Sequence, residues 1–176
     1  MGTLENGMQR AICAFDQSST IVGWCILIGK EVESFGEFKP DPPDFTETRK
    51  WVKDLSGTLI QQGYDVTVAV EDVYLKKYWD AKEKQWRYQV HTYDVLLSIR
   101  EHVRAAALDV GAKCLVIKPY DAMVALSGVT DPKTKREDRK RIMMAAAELT
   151  LNEKVSEHVS DALGLALAAY NKLFGT

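Results

Sequence analysis

Four side chains in this sequence are of types that bind divalent metal ions, and two of them end strands that the local pattern predicts to be buried. Asp16 follows the apolar run AICAF, and Glu71 follows the apolar run VTVAV. His158 and Asp161 stand three residues apart in a segment with helical periodicity, so their side chains share one face of a helix. Because a buried carboxylate is costly unless it is paired or bound to a cation, these residues are candidates for a catalytic metal centre.

Three carboxylates and a histidine from distant parts of the chain would form an oxygen-rich site suited to Mg²⁺ or Mn²⁺. Two such ions per active site, about 3.5–4 Å apart, can activate a water and stabilise the leaving oxygen in phosphodiester cleavage. We assign Asp16 the bridging position between them. Each residue alone has an ordinary alternative: Asp16 and Glu71 as strand-end residues in solvent, and His158 and Asp161 as a solvated first helical turn. The combination of all four indicates a metal-dependent nuclease.

The elements that must position these residues follow from the spacing of apolar residues. Three runs, with the turn Ser18-Ser19-Thr20 after the first, predict a three-stranded meander. Asp44 and Glu47 resemble a capping pair at the start of the first helix. The predicted strands are 11–17, 21–28, 32–38, 66–71 and 114–117, and the predicted helices are 44–63, 90–108, 119–126, 134–149 and 157–173. This order matches an α/β domain of the ribonuclease-H-like fold, with a mixed five-stranded sheet and helices on both faces.

Residues 1–10 lack the apolar core of a signal peptide, so we interpret them as a loose leader before a single domain at residues 11–176. No apolar stretch approaches the roughly 20 residues that cross a bilayer. We therefore expect no membrane partner and a cytoplasmic location, in a bacterial or phage-infected host cell. The three cysteines lie in apolar, strand-like runs, which predicts buried and reduced thiols.

The charge of the chain is unevenly distributed. A net charge of −2 is unusual for a nucleic-acid-binding protein, because phosphate contacts supply most non-specific affinity. Two segments are nevertheless basic: residues 76–87 carry five Lys or Arg against two acids, and residues 133–141 carry six against two. Since the local field matters more than the sum, both segments are candidate DNA contacts.

Three segments of the sequence resemble the motifs of RuvC-type Holliday junction resolvases, in the same order and at fitting separations. Residues 14–24, AFDQSSTIVGW, are similar to the first motif: an apolar strand, Asp, a polar turn and Gly followed by an aromatic residue. Residues 70–74, VEDVY, are similar to the second, and residues 158–166, HVSDALGLA, to the third. The resemblance covers about residues 11–172. The family's usual Asp-Pro-Gly turn is Asp-Gln-Ser here, a variant that points to a bacteriophage-type member.

The resemblance implies roles for the candidate residues. Asp16, Glu71 and Asp161 would bind metal, and His158 would bind the second ion or orient the nucleophilic water. Tyr74 falls where the family carries an aromatic residue that stacks on bases opened at the crossover. The resemblance also implies a homodimer, because a two-fold protein matches a two-fold junction, and the helix at residues 90–108 would supply its interface.

Other positions are less determined by the resemblance. Lys133 or Lys135 is a candidate for one of the family's active-site lysines. Asp72 is left out of the metal centre because neighbouring residues on a strand face opposite sides. Residues 74–88 interleave aromatic and cationic residues, which suits unpaired bases and phosphates; the alternative is a solvated helix or hairpin whose aromatics pack on the core or on a partner subunit. The predicted DNA contacts are Tyr74, Lys76, Lys77, Arg87, Lys133, Lys135, Arg136 and Arg139.

The sequence thus predicts an enzyme, a crossover junction endodeoxyribonuclease that resolves four-way DNA junctions by paired metal-dependent nicks in recombination and repair. The first alternative is a branched-DNA nuclease of the same fold with relaxed choice among forks, flaps and junctions. The second is a phosphate-binding ATPase domain of the actin/sugar-kinase type, whose first strand also carries Asp before a small polar turn. That alternative is disfavoured, because such proteins need two such domains and lack His-x-x-Asp on a terminal helix.

Overall fold

The computed structural model describes residues 8–18, 20–131 and 133–175. The strands are β1 (Arg10–Asp16), β2 (Val22–Ile28), β3 (Glu31–Phe38), β4 (Asp65–Glu71), β5 (Lys77–Asp80), β6 (Gln85–Tyr88) and β7 (Lys113–Ile117). The helices are α1 (Thr46–Gln61), α2 (Val90–Asp109), α3 (Pro119–Ser127), α4 (Arg136–Leu151) and α5 (Glu157–Phe174).

A mixed five-stranded sheet in the order β3-β2-β1-β4-β7 forms the centre of the fold. The meander β1-β2-β3 is antiparallel, whereas β4 and then β7 are added parallel to β1 through helical crossovers. The central strands β1 and β4 are apolar on both faces because helices cover both sides of the sheet. The ribonuclease-H-like fold predicted from the sequence is confirmed.

Alternation along β1 divides its side chains between two cores. Ala11, Cys13 and Phe15 belong to the core beneath α1 and α2. Ile12 and Ala14 belong to the core beneath α5 and α3. Because side chains on a strand alternate between faces, the residue that ends β1 lies on the α5 side of the sheet. The same alternation in β4 places its last residue on that side as well.

The first helix begins differently from the sequence-based prediction. The carboxylate of Asp41, and not that of Asp44, accepts hydrogen bonds from the backbone amides of Glu47 and Thr48, at 2.6 and 2.8 Å. Asp44 accepts one longer bond, 3.3 Å, from the amide of Thr46. The prediction that Asp44 and Glu47 form a capping pair at the start of the first helix was therefore wrong. Phe45 adopts a left-handed backbone (φ 52°) and buries its ring in the core, which folds the chain back so that Asp41 reaches the exposed amides.

The segment at residues 74–88 contains a two-stranded antiparallel hairpin formed by β5 and β6. Its aromatic side chains are exposed, which decides against the alternative in which they pack on the core. Cys13 and Cys25 are buried free thiols as expected, and Cys114 is a partly buried one. In the part of the chain that the structure describes, no helix has the length and apolarity needed to span a membrane.

Three details of the predicted organisation touch residues outside the described ranges. Residues 1–7 of the predicted leader lie outside them, but Arg10 already belongs to β1, and the carbonyl of Gln9 accepts a hydrogen bond from the amide of Asp65 at 3.0 Å. The first strand thus begins before residue 11. Ser19 in the predicted turn and Pro132 in the loop before α4 also lie outside the described residues.

Candidate metal centre

Asp16 and Glu71 end the two central parallel strands and lie at the same edge of the sheet. The register between β1 and β4 pairs Phe15 with Val70, so the two carboxylates occupy the next positions along neighbouring strands. Alternation turns both side chains toward the face that α5 covers. The side chain of Asp16 is 10% exposed. The burial that the preceding apolar run predicts is confirmed for Asp16, whereas Glu71 is half-buried.

The side chain of Gln17 ties the two strand ends together. Its Nε2 donates to the carbonyl oxygen of Glu71 at 2.6 Å, and its Oε1 accepts from the amide of Glu71 at 3.2 Å. The amide group thus takes the place of a backbone ladder pair just beyond the end of β1. Gln17 is 5% exposed, so both bonds are shielded from competing water. Sequence reasoning missed this residue, because a glutamine after a strand gives no signal of its partner.

Helix α5 brings the third part of the site. Ser156 caps the helix, its Oγ accepting from the amide of Val159 at 3.2 Å. His158, in the first turn, donates from Nδ1 to Oδ2 of Asp16 at 3.1 Å. The capped start of α5 therefore lies directly over the end of β1.

The close approach of α5 depends on Gly23, which pairs with Asp16 across β1 and β2. A Cβ atom at Gly23 would overlap the backbone carbonyl of His158, so only glycine permits this spacing. The Gly-aromatic pair of the first motif thus has a physical basis here. The sequence pattern contained this glycine, but its contact with α5 could not be read from it.

Asp16, Glu71 and Asp161 line one cleft of about 410 Å³. The structure therefore brings together, in one cleft, carboxylates from β1, β4 and α5. His158 is not among the described residues that line this cleft; it contacts Asp16 from the side and is 29% exposed at its side chain. This arrangement favours orientation of Asp16 over direct coordination as the role of His158.

Burial and mutual repulsion raise the pKa values of the clustered carboxyl groups. Burial, with the negative charges of Asp16 and Asp161 adding to it, raises the pKa of Glu71 to about 8. Burial and the charge of Asp16 raise the pKa of Asp161 to about 7. Burial also raises the pKa of Asp16, against the hydrogen bond from His158. The same hydrogen bond raises the pKa of His158.

These groups fit divalent cations in donor type and in charge. Carboxylate oxygens are the ligands that Mg²⁺ and Mn²⁺ prefer, and a cation relieves the crowding of negative charge that raises these pKa values. Within the described ranges, no three His, Cys, Asp or Glu side chains converge closely enough to hold one ion. The carboxylates therefore share a cleft with their oxygens spread across it, and one oxygen of Asp16 is taken by His158.

Four of the described residues that line the cleft are cationic: Lys76, Arg136, Arg139 and Lys140. Tyr74 lines it as well, 56% exposed, with Lys76 Nζ 5.2 Å from its ring centre. Lys140 forms an ion pair with Glu157, another residue of the cleft, and its charge partly offsets the rise in the pKa values of Asp16 and Asp161. Lys140 and Glu157 are thus part of the site although they were not among the predicted site residues.

The remaining predicted DNA contacts lie away from the cleft. Lys133 and Lys135 are exposed in the loop before α4 and at its start, and the structure places neither along the cleft, where Lys140 stands instead. Lys77 and Arg87 lie on the hairpin. Arg87 forms an ion pair with Asp80, with Nε and Oδ2 3.1 Å apart.

Asp72 faces away from the cleft, as alternation along β4 predicts. Its carboxylate pairs with the guanidinium of Arg100 on α2, at 3.1 Å. Its exclusion from the metal centre agrees with the structure.

Comparison with known proteins places the fold. No family model matches the sequence, and no curated protein matches it. Among solved structures, RuvC of Thermus thermophilus is similar over 94% of this chain and 97% of that chain, with a TM-score of 0.62 and 18% identity. The same protein in complex with a Holliday junction substrate gives a TM-score of 0.60 at 18% identity, over 95% of this chain and 97% of that one.

The resolvase of Fowlpox virus, solved with Holliday junction DNA, is similar over 93% of this chain and 99% of that chain, with a TM-score of 0.51 and 12% identity. The chain therefore has the ribonuclease-H-like fold of RuvC-type resolvases along nearly its whole length. At these identities the likeness concerns the fold, and the chemistry must be argued from the site.

Proposed function

We propose that this chain is a divalent-metal-dependent endonuclease that cleaves branched DNA, with four-way junctions as its preferred substrate. The observation that carries the proposal is the meeting of Asp16, Glu71 and Asp161, from three separate elements, in one cleft that cationic side chains also line. Three acidic groups with raised pKa values in one cleft are typical of a functional site.

Each residue of the site has a separate role in this proposal. Asp16, Glu71 and Asp161 would hold two divalent cations. When bound, these would supply activation of a water and stabilisation of the leaving oxygen of a phosphodiester. His158 fixes the rotamer of Asp16 through its hydrogen bond and opposes the rise that burial causes in the pKa of that carboxyl group. Gln17 fixes the backbone of Glu71, so that both carboxylates stay at the edge of the sheet.

The side chains that line the cleft suit a DNA strand. Lys76, Arg136 and Arg139 can contact phosphates on either side of the scissile bond, which would give binding despite the net negative charge of the chain. Tyr74 is exposed at the cleft and can stack on a base that is not paired. Lys133 and Lys135 would extend the phosphate contacts beyond the cleft, along the start of α4.

Preference for a four-way junction is the finer part of the proposal, and it is supported by the similarity in fold to the two resolvases. Paired nicks need two active sites, and we propose a homodimer through α2. One side of that helix is buried against α1 and β4, while Val90 and Leu108 are more than half exposed. A DNA substrate is consistent with a cytoplasmic location in a bacterial or phage-infected cell.

The test is cleavage of a labelled mobile four-way junction beside fork, flap and duplex substrates, with and without Mg²⁺. Symmetric paired nicks restricted to the junction, abolished by chelator, are the expected result. Cutting of all branched substrates would select the relaxed-specificity nuclease of the same fold. If none of the substrates were cleaved in a metal-dependent way, the proposal would be overturned.

A further inference from the structure

The β5–β6 hairpin has two chemically different faces. Residues that pair across the strands share a face: Trp79 pairs with Trp86, and Lys77 pairs with Tyr88. These four residues form what we call the aromatic face. The opposite face carries Tyr78, Asp80, Gln85 and Arg87, with the charges of Asp80 and Arg87 paired.

The aromatic face is open to solvent. Trp79, Trp86 and Tyr88 are 52%, 59% and 57% exposed. The two indoles contact each other edge to face, with centroids 5.7 Å apart and planes at 70°. An isolated two-stranded hairpin is marginally stable in water, and exposed aromatic patches usually mark binding surfaces. The fold alone gives no reason for this cluster of large apolar rings.

The charge around the aromatic face indicates the chemistry of its partner. Lys77 Nζ lies 5.0 Å from the ring centre of Trp86, a cation–π contact on the same face. Lys82 and Lys84 follow at the turn, where Asp80 accepts from the amides of Lys82 and Glu83 at 3.0 and 3.1 Å. Because Asp80 lies on the opposite face, Lys77 gives the aromatic face a positive charge, and the turn adds two lysines against Glu83.

Aromatic rings can stack on nucleobases, and neighbouring cations can contact the phosphates of the same strand. A second copy of the chain is a poorer match, because two-fold pairing of this face would bring together two surfaces that each carry Lys77 and no acidic residue. Charge complementarity therefore favours an anionic partner with flat, stackable groups.

The aromatic face is continuous with the metal cleft. Tyr74 and Lys76, which line the cleft, come directly before β5. The base of the hairpin is closed there, by a hydrogen bond of 2.9 Å from the amide of Gln89 to the carbonyl of Lys76. Strands of four residues reach about 13 Å, at about 3.3 Å per residue. DNA held in the cleft would therefore pass within reach of the hairpin.

We infer that the aromatic face of the hairpin binds unpaired DNA bases at the branch point, through stacking on Trp79 and Trp86. This inference rests on the proposed function and adds a second stacking surface beyond Tyr74. It assigns the hairpin to recognition of branch structure, whereas Asp16, Glu71 and Asp161 act on the phosphodiester.

The experiment measures binding separately from cleavage. Full-length Trp79→Ala and Trp86→Ala would be titrated, with Ca²⁺ in place of Mg²⁺, against a four-way junction that carries 2-aminopurine at its branch point and against a paired duplex. We expect each variant to bind the junction roughly 5- to 150-fold more weakly, the range for one lost base stack, with little change on duplex. The 2-aminopurine fluorescence response should fall in parallel.

Two variants control for the fold of the hairpin. Tyr78→Ala removes a ring from the opposite face and should bind the junction like the wild type. Trp79→Phe keeps a ring that can stack and should retain most of the affinity. Weakening by Trp79→Phe or by Tyr78→Ala as large as that by Trp79→Ala would overturn the inference.

Three other results would also overturn it: unchanged junction binding by Trp79→Ala, equal loss on duplex, or a shift from dimer to monomer in sedimentation, which would mean that the face contacts a second subunit. A wild-type protein that binds the branch through these tryptophans without metal-dependent cleavage would refute the proposed nuclease and leave this inference standing.

Discussion

The backbone of Gly23 on β2 lies directly against the backbone of His158 on α5, with no room for a side chain between them. Gly23 is also the residue that pairs with Asp16 across the sheet. The distance between α5 and the end of β1 is therefore set by the absence of a Cβ atom at one position. Asp161, one turn further along α5, reaches the cleft because of this contact.

Substitution of Gly23 by alanine should displace α5 from the end of β1 and so move Asp161 away from Asp16. The added methyl group meets backbone atoms of α5, which cannot turn aside as a side chain can, so α5 must shift or the helix must lose packing. We expect Gly23→Ala to lower the free energy of unfolding by about 1–3 kcal/mol and to abolish metal-dependent cleavage. Urea denaturation and a cleavage assay would measure the two effects.

Gly57→Ala is the matched control. A Cβ atom there lies 3.6 Å from Val110 Cγ1, an ordinary contact, and Gly57 is inside α1. The substitution should therefore be neutral or stabilising. If Gly23→Ala were as well tolerated as Gly57→Ala, the close approach of α5 would not be what positions the site.

Loss of the Gln17 amide should loosen Glu71. Gln17→Ala removes two buried hydrogen bonds to the backbone of Glu71, each worth about 0.5–1.5 kcal/mol. We therefore predict a decrease of about 1–3 kcal/mol in the free energy of unfolding and weaker binding of Mn²⁺, measured by calorimetric titration. Gln61→Ala, at an exposed position of α1, serves as the control. Unchanged Mn²⁺ affinity in Gln17→Ala would contradict a positioning role for Gln17.

The stability of the metal-free protein should fall as the pH rises. The pKa values of about 8 for Glu71 and about 7 for Asp161 lie above those of the unfolded chain, near 4. The folded state thus binds protons more tightly, and this contribution to stability is full below about pH 4 and is lost as the pH rises to about 8. In chelator, the Tm of the wild type should decrease over this range more steeply than that of Glu71→Gln or Asp161→Asn.

Addition of Mg²⁺ at pH 8 should restore the lost stability, because a bound cation favours the ionised carboxylates. Asp109→Asn is a control, because the contribution of Asp109 to stability has the opposite pH dependence. The hydrogen bond from Arg49 lowers the pKa of Asp109, so its contribution is lost only as the pH falls through the acidic range. Parallel Tm profiles for the wild type, Glu71→Gln and Asp161→Asn would show that the clustered carboxyl groups do not titrate as described.

Tyr74→Ala should act on the substrate and not on the fold. The ring is 56% exposed and contacts Lys76, so its removal costs little stability. We expect slower cleavage of a four-way junction, with a smaller loss on any duplex activity, because a base stack forms only where bases are unpaired. An equal loss on junction and duplex would argue for a structural tyrosine.

Local sequence was sufficient for the features that depend on alternation and apolar runs. They predicted the five-stranded sheet, the burial of Asp16 and the direction of Asp72 away from the cleft, whereas Glu71 is only half-buried. The spacing of His158 and Asp161 placed them on one helix, and the contact of His158 with Asp16 followed from the fold.

The features that sequence reasoning missed depend on partners distant in the chain or on loop geometry. Gln17 bonds a backbone 54 residues away, and Lys140 reaches the cleft through the packing of α4 beside α5. Asp41 replaces Asp44 at the start of α1 because the loop before the helix folds back. The sequence left a helix and a hairpin open for residues 74–88, because the strands are largely exposed on both faces and no pattern of burial marks them.

Anomalous diffraction from crystals of the protein soaked in Mn²⁺ tests the metal centre most directly. We predict two peaks about 3.5–4 Å apart, bounded by the carboxylates of Asp16, Glu71 and Asp161, and loss of at least one peak in Asp16→Asn. Absence of any peak in this cleft at saturating Mn²⁺ would contradict the metal centre and, with it, the proposed nuclease.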